Sequence, residues 1–162
     1  MERTLTTTCN GLTYAAFTAA SLLAIGVPEI AITNALNKEI IDEAHARIDA
    51  VCDKSFAESL SRQARYAAKE TEARAFLAAE KPESVNAADY PILAAEAAVK
   101  DISLIDQAKA VIKAVTAANT LVSQAEAARA RITLVVKTAS SEEEKALAAE
   151  KVFTEFMREI ST

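Results

Sequence analysis

The chain has no tryptophan, one histidine, two cysteines, two glycines and three prolines among its 162 residues. Each scarcity excludes something. A bundle di-metal site needs a carboxylate–histidine pair at i, i+3 twice over, plus further carboxylates. This chain offers the pair once, in Asp42-Glu43-Ala44-His45, so His45 reads as a polar surface residue or a partner contact. Two distant glycines cannot form a phosphate-cradling loop. Cys9 and Cys52 have neither metal-ligand spacing nor a disulfide framework, and neither has a histidine nearby in sequence to activate it. No serine lies in a strained elbow motif. No catalytic, cofactor-binding or metal residue is therefore expected. Few glycines and prolines also mean few breaks, and no sheet is expected.

Charge of one sign is lacking too. Eighteen basic and 23 acidic residues are mixed along the chain, giving a net −5. That pattern describes a solvated helical surface and gives no footing for nucleic acid.

Hydrophobic residues make up 51% of the chain but aromatics only 5%, so much of the apolar content is alanine. Alanine favours helix strongly yet buries little area. A thin single-chain core is a physical motive for self-association. The clearest pattern lies in residues 103–137, where Leu104, Ala108, Val111, Val115, Ala118, Val122, Ala125, Arg129, Ile132 and Val136 recur at alternating steps of four and three. That is the seam of a helix packed along its length, and at 1.5 Å per residue it would run roughly 50 Å. Arg129 is the one charge on the seam. It either sets register against an acidic partner or lies along the seam edge with its head in water.

Residues 12–25 form the most apolar run, between Gly11 and Gly26. It is shorter than the roughly 20 residues a membrane span needs, and Arg3 opposed by Glu2 is a poor signal-peptide start. After a Thr-rich arm over residues 1–10, the run reads as a helix over about 12–24, apolar nearly all round. Its large side chains are Leu12, Tyr14, Phe17, Leu22 and Leu23.

Pro28 opens a long helix whose stripe reads Ile30, Asn34, Ile41, Ala44, Ile48, Val51 and Cys52, widened by Leu36 and Ile40. The stripe weakens over 54–61, where a kink or short loop is expected. It resumes with Leu60, Ala64, Ala67, Thr71, Ala75 and Ala78, flanked by Phe76 and Leu77. Glu58 with Arg62 and Glu70 with Arg74 form i, i+4 pairs on the outer face. Residues 80–86, containing Lys81-Pro82, read as a loop. Asp89 reads as the cap of a short helix with Pro91 in its first turn. Ser103 with Asp106, and Ser141 with Glu144, read as capping boxes for the last two helices. The final helix shows Leu147, Ala149, Val152, Phe153, Phe156 and Ile160.

Three blocks occur in order: Ile48-Asp49-Ala50-Val51-Cys52-Asp53, then residues 69–78 (KETEARAFLA), then residues 90–98 (YPILAAEAA). Together they resemble an Ala-rich helical region of bacteriophage tail-fibre and related tail proteins. The resemblance covers roughly residues 41–136. It is moderately specific at 72–78 and 90–98. It implies a virion component of the tail, made in the bacterial host cytoplasm, and no enzyme activity. No β-rich receptor-binding portion is expected after the helices, so an adaptor, a fibre stem or a small virion component is expected in preference to a receptor-binding role.

The expected fold is all-α, an elongated antiparallel helical bundle with long coiled-coil-like helices. Residues 1–27 are expected to be an arm and attachment helix, dispensable for the stability of a bundle over 28–162. Partner contacts are expected at Leu12, Tyr14, Phe17, Leu22, Leu23, Val111, Val115, Val122 and Arg129. The partners are further copies of the chain, three of which would suit a fibre, and other virion proteins. A tail-fibre assembly chaperone and a membrane-active helical protein are the alternatives.

Overall fold

The computed structural model describes residues 3–56, 60–79 and 85–161, without the side chains of Phe56 and residues 60–63. Two strands, β1 (Thr4–Cys9) and β2 (Leu12–Thr18), precede six helices among the described residues. These are α1 (Ala19–Ala24), α2 (Glu29–Phe56), α3 (Leu60–Ala78), α4 (Pro91–Lys100), α5 (Leu104–Thr138) and α6 (Glu142–Glu159), with a 3-10 turn at Ala87–Asp89. The chain is mostly helical. It divides into one unit made of Met1–Asp53 with Gln124–Thr162, and another made of Lys54–Ser123.

The sheet corrects two expectations, that no sheet forms and that residues 12–24 are one helix. Asn10 and Gly11 have φ of 51° and 77°, the two left-handed residues that a tight two-residue hairpin turn demands. β1 pairs antiparallel with β2. The alternation of strands then puts Leu5, Thr7, Cys9, Leu12 and Tyr14 on one face and Thr4, Thr6, Thr8 and Thr13 on the other. Pairing of Leu5 with Phe17 but Thr7 with Tyr14 leaves one extra residue on β2. Ala16, with φ of 61°, absorbs that bulge. The apolar run switches from strand to helix at Thr18, whose hydroxyl accepts from Ser21 N–H at 3.2 Å and caps α1.

In this first unit the hairpin and α1 are built into the core. Leu5 and Leu22 are buried with Val27, Ile32 and Ala35, and Cys9, Tyr14 and Leu36 pack around them. This corrects the view of the segment as a separable arm. It also rotates the start of α2. Ile32 and Ala35 turn inward, whereas Ile30 is 67% exposed and Asn34 faces solvent. The hairpin covers one face of α2's first turns, and no periodicity within α2 could have announced that. Further along, Ile40, Ala44 and Ile48 are buried, as are Ala125, Ala128, Ile132 and Val136 of α5 and Ala149, Val152 and Phe156 of α6. Leu147, expected on the inner face of α6, is 69% exposed. Ser141 and Glu144 form the expected capping box. Lys145, only 5% exposed, donates to Asn37 Oδ1 at 2.8 Å, so its charge is hydrogen-bonded where it is buried.

The second unit packs Ala73 and Phe76 of α3 against Leu93 of α4 and Ala108 and Val111 of α5. The Phe76 and Tyr90 rings meet edge-on at 5.3 Å. The expected α3 stripe is displaced: Ala64, Ala67, Thr71, Ala75 and Ala78 are exposed, and Ala73 and Phe76 face inward. In an alanine-rich helix every face is equally apolar on paper, so the one large ring decides which is buried. Asp89 does not cap α4 but belongs to the 3-10 turn, and Tyr90 occupies the cap position without a side-chain bond. The cap comes from α3 instead. Glu72 Oε2 accepts the N–H groups of Ile92 at 2.9 Å and Leu93 at 3.0 Å, placing a carboxylate at the positive end of the helix. Ser103 caps α5, accepting from Asp106 N–H at 3.0 Å, but the box expected there is only half formed: the Asp106 carboxylate accepts from the Ser103 hydroxyl at 2.7 Å and not from its backbone N–H. The interruption expected over 54–61, the loop over 80–86, Leu60 and the Glu58–Arg62 pair fall wholly or largely outside the described residues.

Candidate helix-assembly surface

α5 carries the candidate surface. Its seam is inward-facing at both ends. Ala108 and Val111 are buried in the second unit, and Ala125, Ile132 and Val136 in the first. Between them burial lapses. Val115 and Ala118 are only half-buried, and Val122 is 47% exposed. An alternation of fours and threes this regular is the pattern of helix-on-helix packing, yet the described residues cover its middle only in part.

Beside that stretch the second unit has a groove of about 1060 Å³. Val99, Val111, Val115 and Ala118 supply apolar lining, and Val99 is 88% exposed. One part of the lining is polar. Lys69 pairs with Glu96, which also lies 3.8 Å from the Lys100 ammonium. Gln107, 1% exposed, donates from Nε2 to Glu96 at 2.7 Å and accepts from Lys100 at 3.0 Å. Every polar atom of that buried amide is thus used, which fixes Glu96 and Lys100 relative to α5. Among the described residues the lining holds the Lys69 and Lys100 ammonium groups and the Glu96 carboxylate.

Arg129 finds its acidic partner within the chain. Its guanidinium pairs with Asp49 of α2 and Glu126 of α5. Burial works against its charge, but the hydrogen bond and field of Asp49 outweigh that and hold the Arg129 pKa above its ordinary value. His45 Nε2 lies 3.1 Å from the carbonyl oxygen of Arg129. A carbonyl only accepts, so Nε2 carries the proton. These are contacts of α2 with α5 in the first unit, and Arg129 is already engaged there.

The N-terminal candidates separate by face. Leu22 is fully buried in the chain's own core and Tyr14 packs against that core. Leu12, Leu23 and Phe17 stay at the surface, 61%, 53% and 37% exposed. Ile25, 52% exposed, and Ile30 join them as exposed large side chains that the sequence did not mark. The groove residues Lys69, Glu96, Lys100 and Gln107 were also missed. They look like ordinary helix-surface polar residues in sequence, and only the packing of α3, α4 and α5 brings them together.

Among the described residues no cluster of three or more His, Cys, Asp or Glu side chains could hold a metal, and no helix is long and apolar enough to cross a membrane. No protein-family model, curated protein or solved structure matches the chain.

Proposed function

We propose that the chain is a non-enzymatic structural protein of a bacteriophage tail, a fibre stem or adaptor, working through helix–helix assembly with further copies of itself. In the particle its long helices form an elongated antiparallel bundle with coiled-coil-like seams. The observation that carries this reading is the open middle of the α5 seam. Val115, Ala118 and Val122 keep the packing rhythm of their buried neighbours but are only partly covered within the chain. The resemblance of residues 41–136 to tail proteins supplies the setting. The exposed Leu12, Phe17 and Leu23 of the hairpin and α1 then serve as the surface that meets another virion protein.

Quantitative mass spectrometry of purified particles from the producing bacterium tests this. The protein should be present in fixed stoichiometry with the tail components. Abundance in the lysate with absence from finished particles would overturn the structural role and favour an assembly chaperone.

A further inference from the structure

Asn10 and Gly11 make the hairpin turn, and the same pair carries a chemistry that helix assembly does not use. We propose that it is a self-modifying site: Asn10 converts through a cyclic imide to isoaspartate, and closure of the turn holds that reaction back.

Of the five asparagines only Asn10 precedes a glycine. Attack on an asparagine side chain by the next residue's nitrogen is ordinarily hindered by that residue's Cβ, and Gly11 has none. Both residues are exposed, and no other part of the chain comes within 4 Å of where a Gly11 Cβ would stand, so water reaches the pair. Asn34, Asn37 and Asn119 lie inside α2 and α5, where the N–H groups that follow them are held in helical hydrogen bonds. The Asn86 carboxamide is engaged as well, accepting from Ala88 N–H at 3.1 Å. In the reaction the Gly11 nitrogen gives its proton to water and bonds to Asn10 Cγ. The Cγ–Nδ2 bond breaks, and Nδ2 takes a proton from water and leaves as ammonia. Water then opens the ring. Addition at Cγ leaves aspartate, whereas addition at the main-chain carbonyl leaves isoaspartate, with the chain running through Cβ and Cγ. No cofactor, oxidant or reductant takes part.

The closed turn opposes the first step. The φ values of 51° at Asn10 and 77° at Gly11 belong to a turn whose first central residue has a positive ψ as well. For an L residue that ψ turns the Gly11 nitrogen to the far side of the Cα–C bond from Cβ, out of reach of Cγ. Cyclisation therefore waits for the hairpin to open, and the packing of Leu5 and Tyr14 with Val27, Ile32 and Ala35 keeps it shut. The product cannot close again in the same way. Isoaspartate adds a main-chain carbon to a two-residue turn, and turn length sets the register that pairs Thr7 with Tyr14 and Cys9 with Leu12. The change is one-way and records the time the hairpin has spent open.

Incubation of the full chain at mildly alkaline pH, with and without denaturing guanidinium chloride, tests this. Peptide mapping by mass spectrometry, with isoaspartyl methyltransferase labelling, locates the product. Asn10 should convert before any other asparagine, and about tenfold or more faster in the unfolded chain, the ratio set by an opening free energy of about 1.4 kcal/mol or above. The isoaspartate form, isolated by chromatography, should unfold at lower denaturant than Asn10→Asp, which carries the same charge on an unaltered main chain. No isoaspartate at Asn10 in the unfolded chain overturns the site. Equal rates in the folded and unfolded chains overturn protection by the turn, and equal midpoints for the two acidic forms overturn the broken register.

Discussion

Replacing Leu22 with alanine separates a core role for the N-terminal segment from a purely external one. Leu22 is fully buried and packs with Leu5, Val27, Ile32 and Ala35, so truncation removes most of a buried side chain and leaves a space among fixed neighbours. Leucine-to-alanine changes at such sites cost about 3–5 kcal/mol, the transfer free energy plus the cavity. That is a large fraction of the total stability of a typical domain. Leu23, next in the chain and 53% exposed, provides the control. Its alanine variant should stay within about 0.5 kcal/mol of wild type. Urea denaturation followed by circular dichroism measures both, provided the slope against denaturant is unchanged. Equal effects of the two substitutions would refute the packing of α1 and the hairpin onto α2. So would a variant lacking residues 1–26 that kept the full transition midpoint, because removing Leu5 and Leu22 exposes Val27, Ile32 and Ala35.

Ala16 sits in the left-handed region at φ of 61°, where a Cβ costs about 1 kcal/mol or more. Ala16→Gly should therefore stabilise the fold by about 0.5–1 kcal/mol, read as a higher melting temperature. Glu72→Ala strips two N–H groups of α4 of their acceptor and should cost about 1–2 kcal/mol in thermal unfolding, with Glu72→Gln recovering part of it. The hydrogen bond and charge of Arg47 hold the Glu150 carboxyl below its ordinary pKa of 4.5. The pair's contribution is then fully present above that ordinary value and is lost as pH falls through the lower, folded-state value. Both side chains are about half exposed, so Glu150→Gln should cost no more than about 1 kcal/mol near neutrality. The difference from wild type should vanish in acid, by denaturation across a pH series.

The parts of the fold legible in sequence are those where local chemistry decides. The extent of the α5 helix, the Ser103 cap and the Ser141–Glu144 box need only their own neighbours in the chain and sit where their residues imply, whereas the α5 seam, expected to be packed along its length, is buried only towards its two ends. The hairpin was legible in principle. Asn10-Gly11 beside alternating threonines is a strong turn signal, but the apolar weight of residues 12–25 masked the change of period at Thr18. The buried faces of α3 and of the first turns of α2 were not legible. Alanine makes all sides of α3 alike until Phe76 meets Tyr90, and Ile32 is buried only because Leu5 and Leu22 arrive from elsewhere. The same holds for the groove. Lys69, Glu96 and Gln107 lie on three different helices, and no spacing along the chain relates them.

The central claim is that the middle of α5 is an assembly seam, and the solution mass of Val115→Asp against wild type tests it most directly. Val115 is half-buried beside the groove, so an aspartate there is tolerated in a free chain but buries an unpaired charge in an assembly. Light scattering at matched concentration should show a wild-type oligomer and a helical, monomeric variant. A wild-type chain that is already monomeric, or a variant that keeps the wild-type mass, would contradict it.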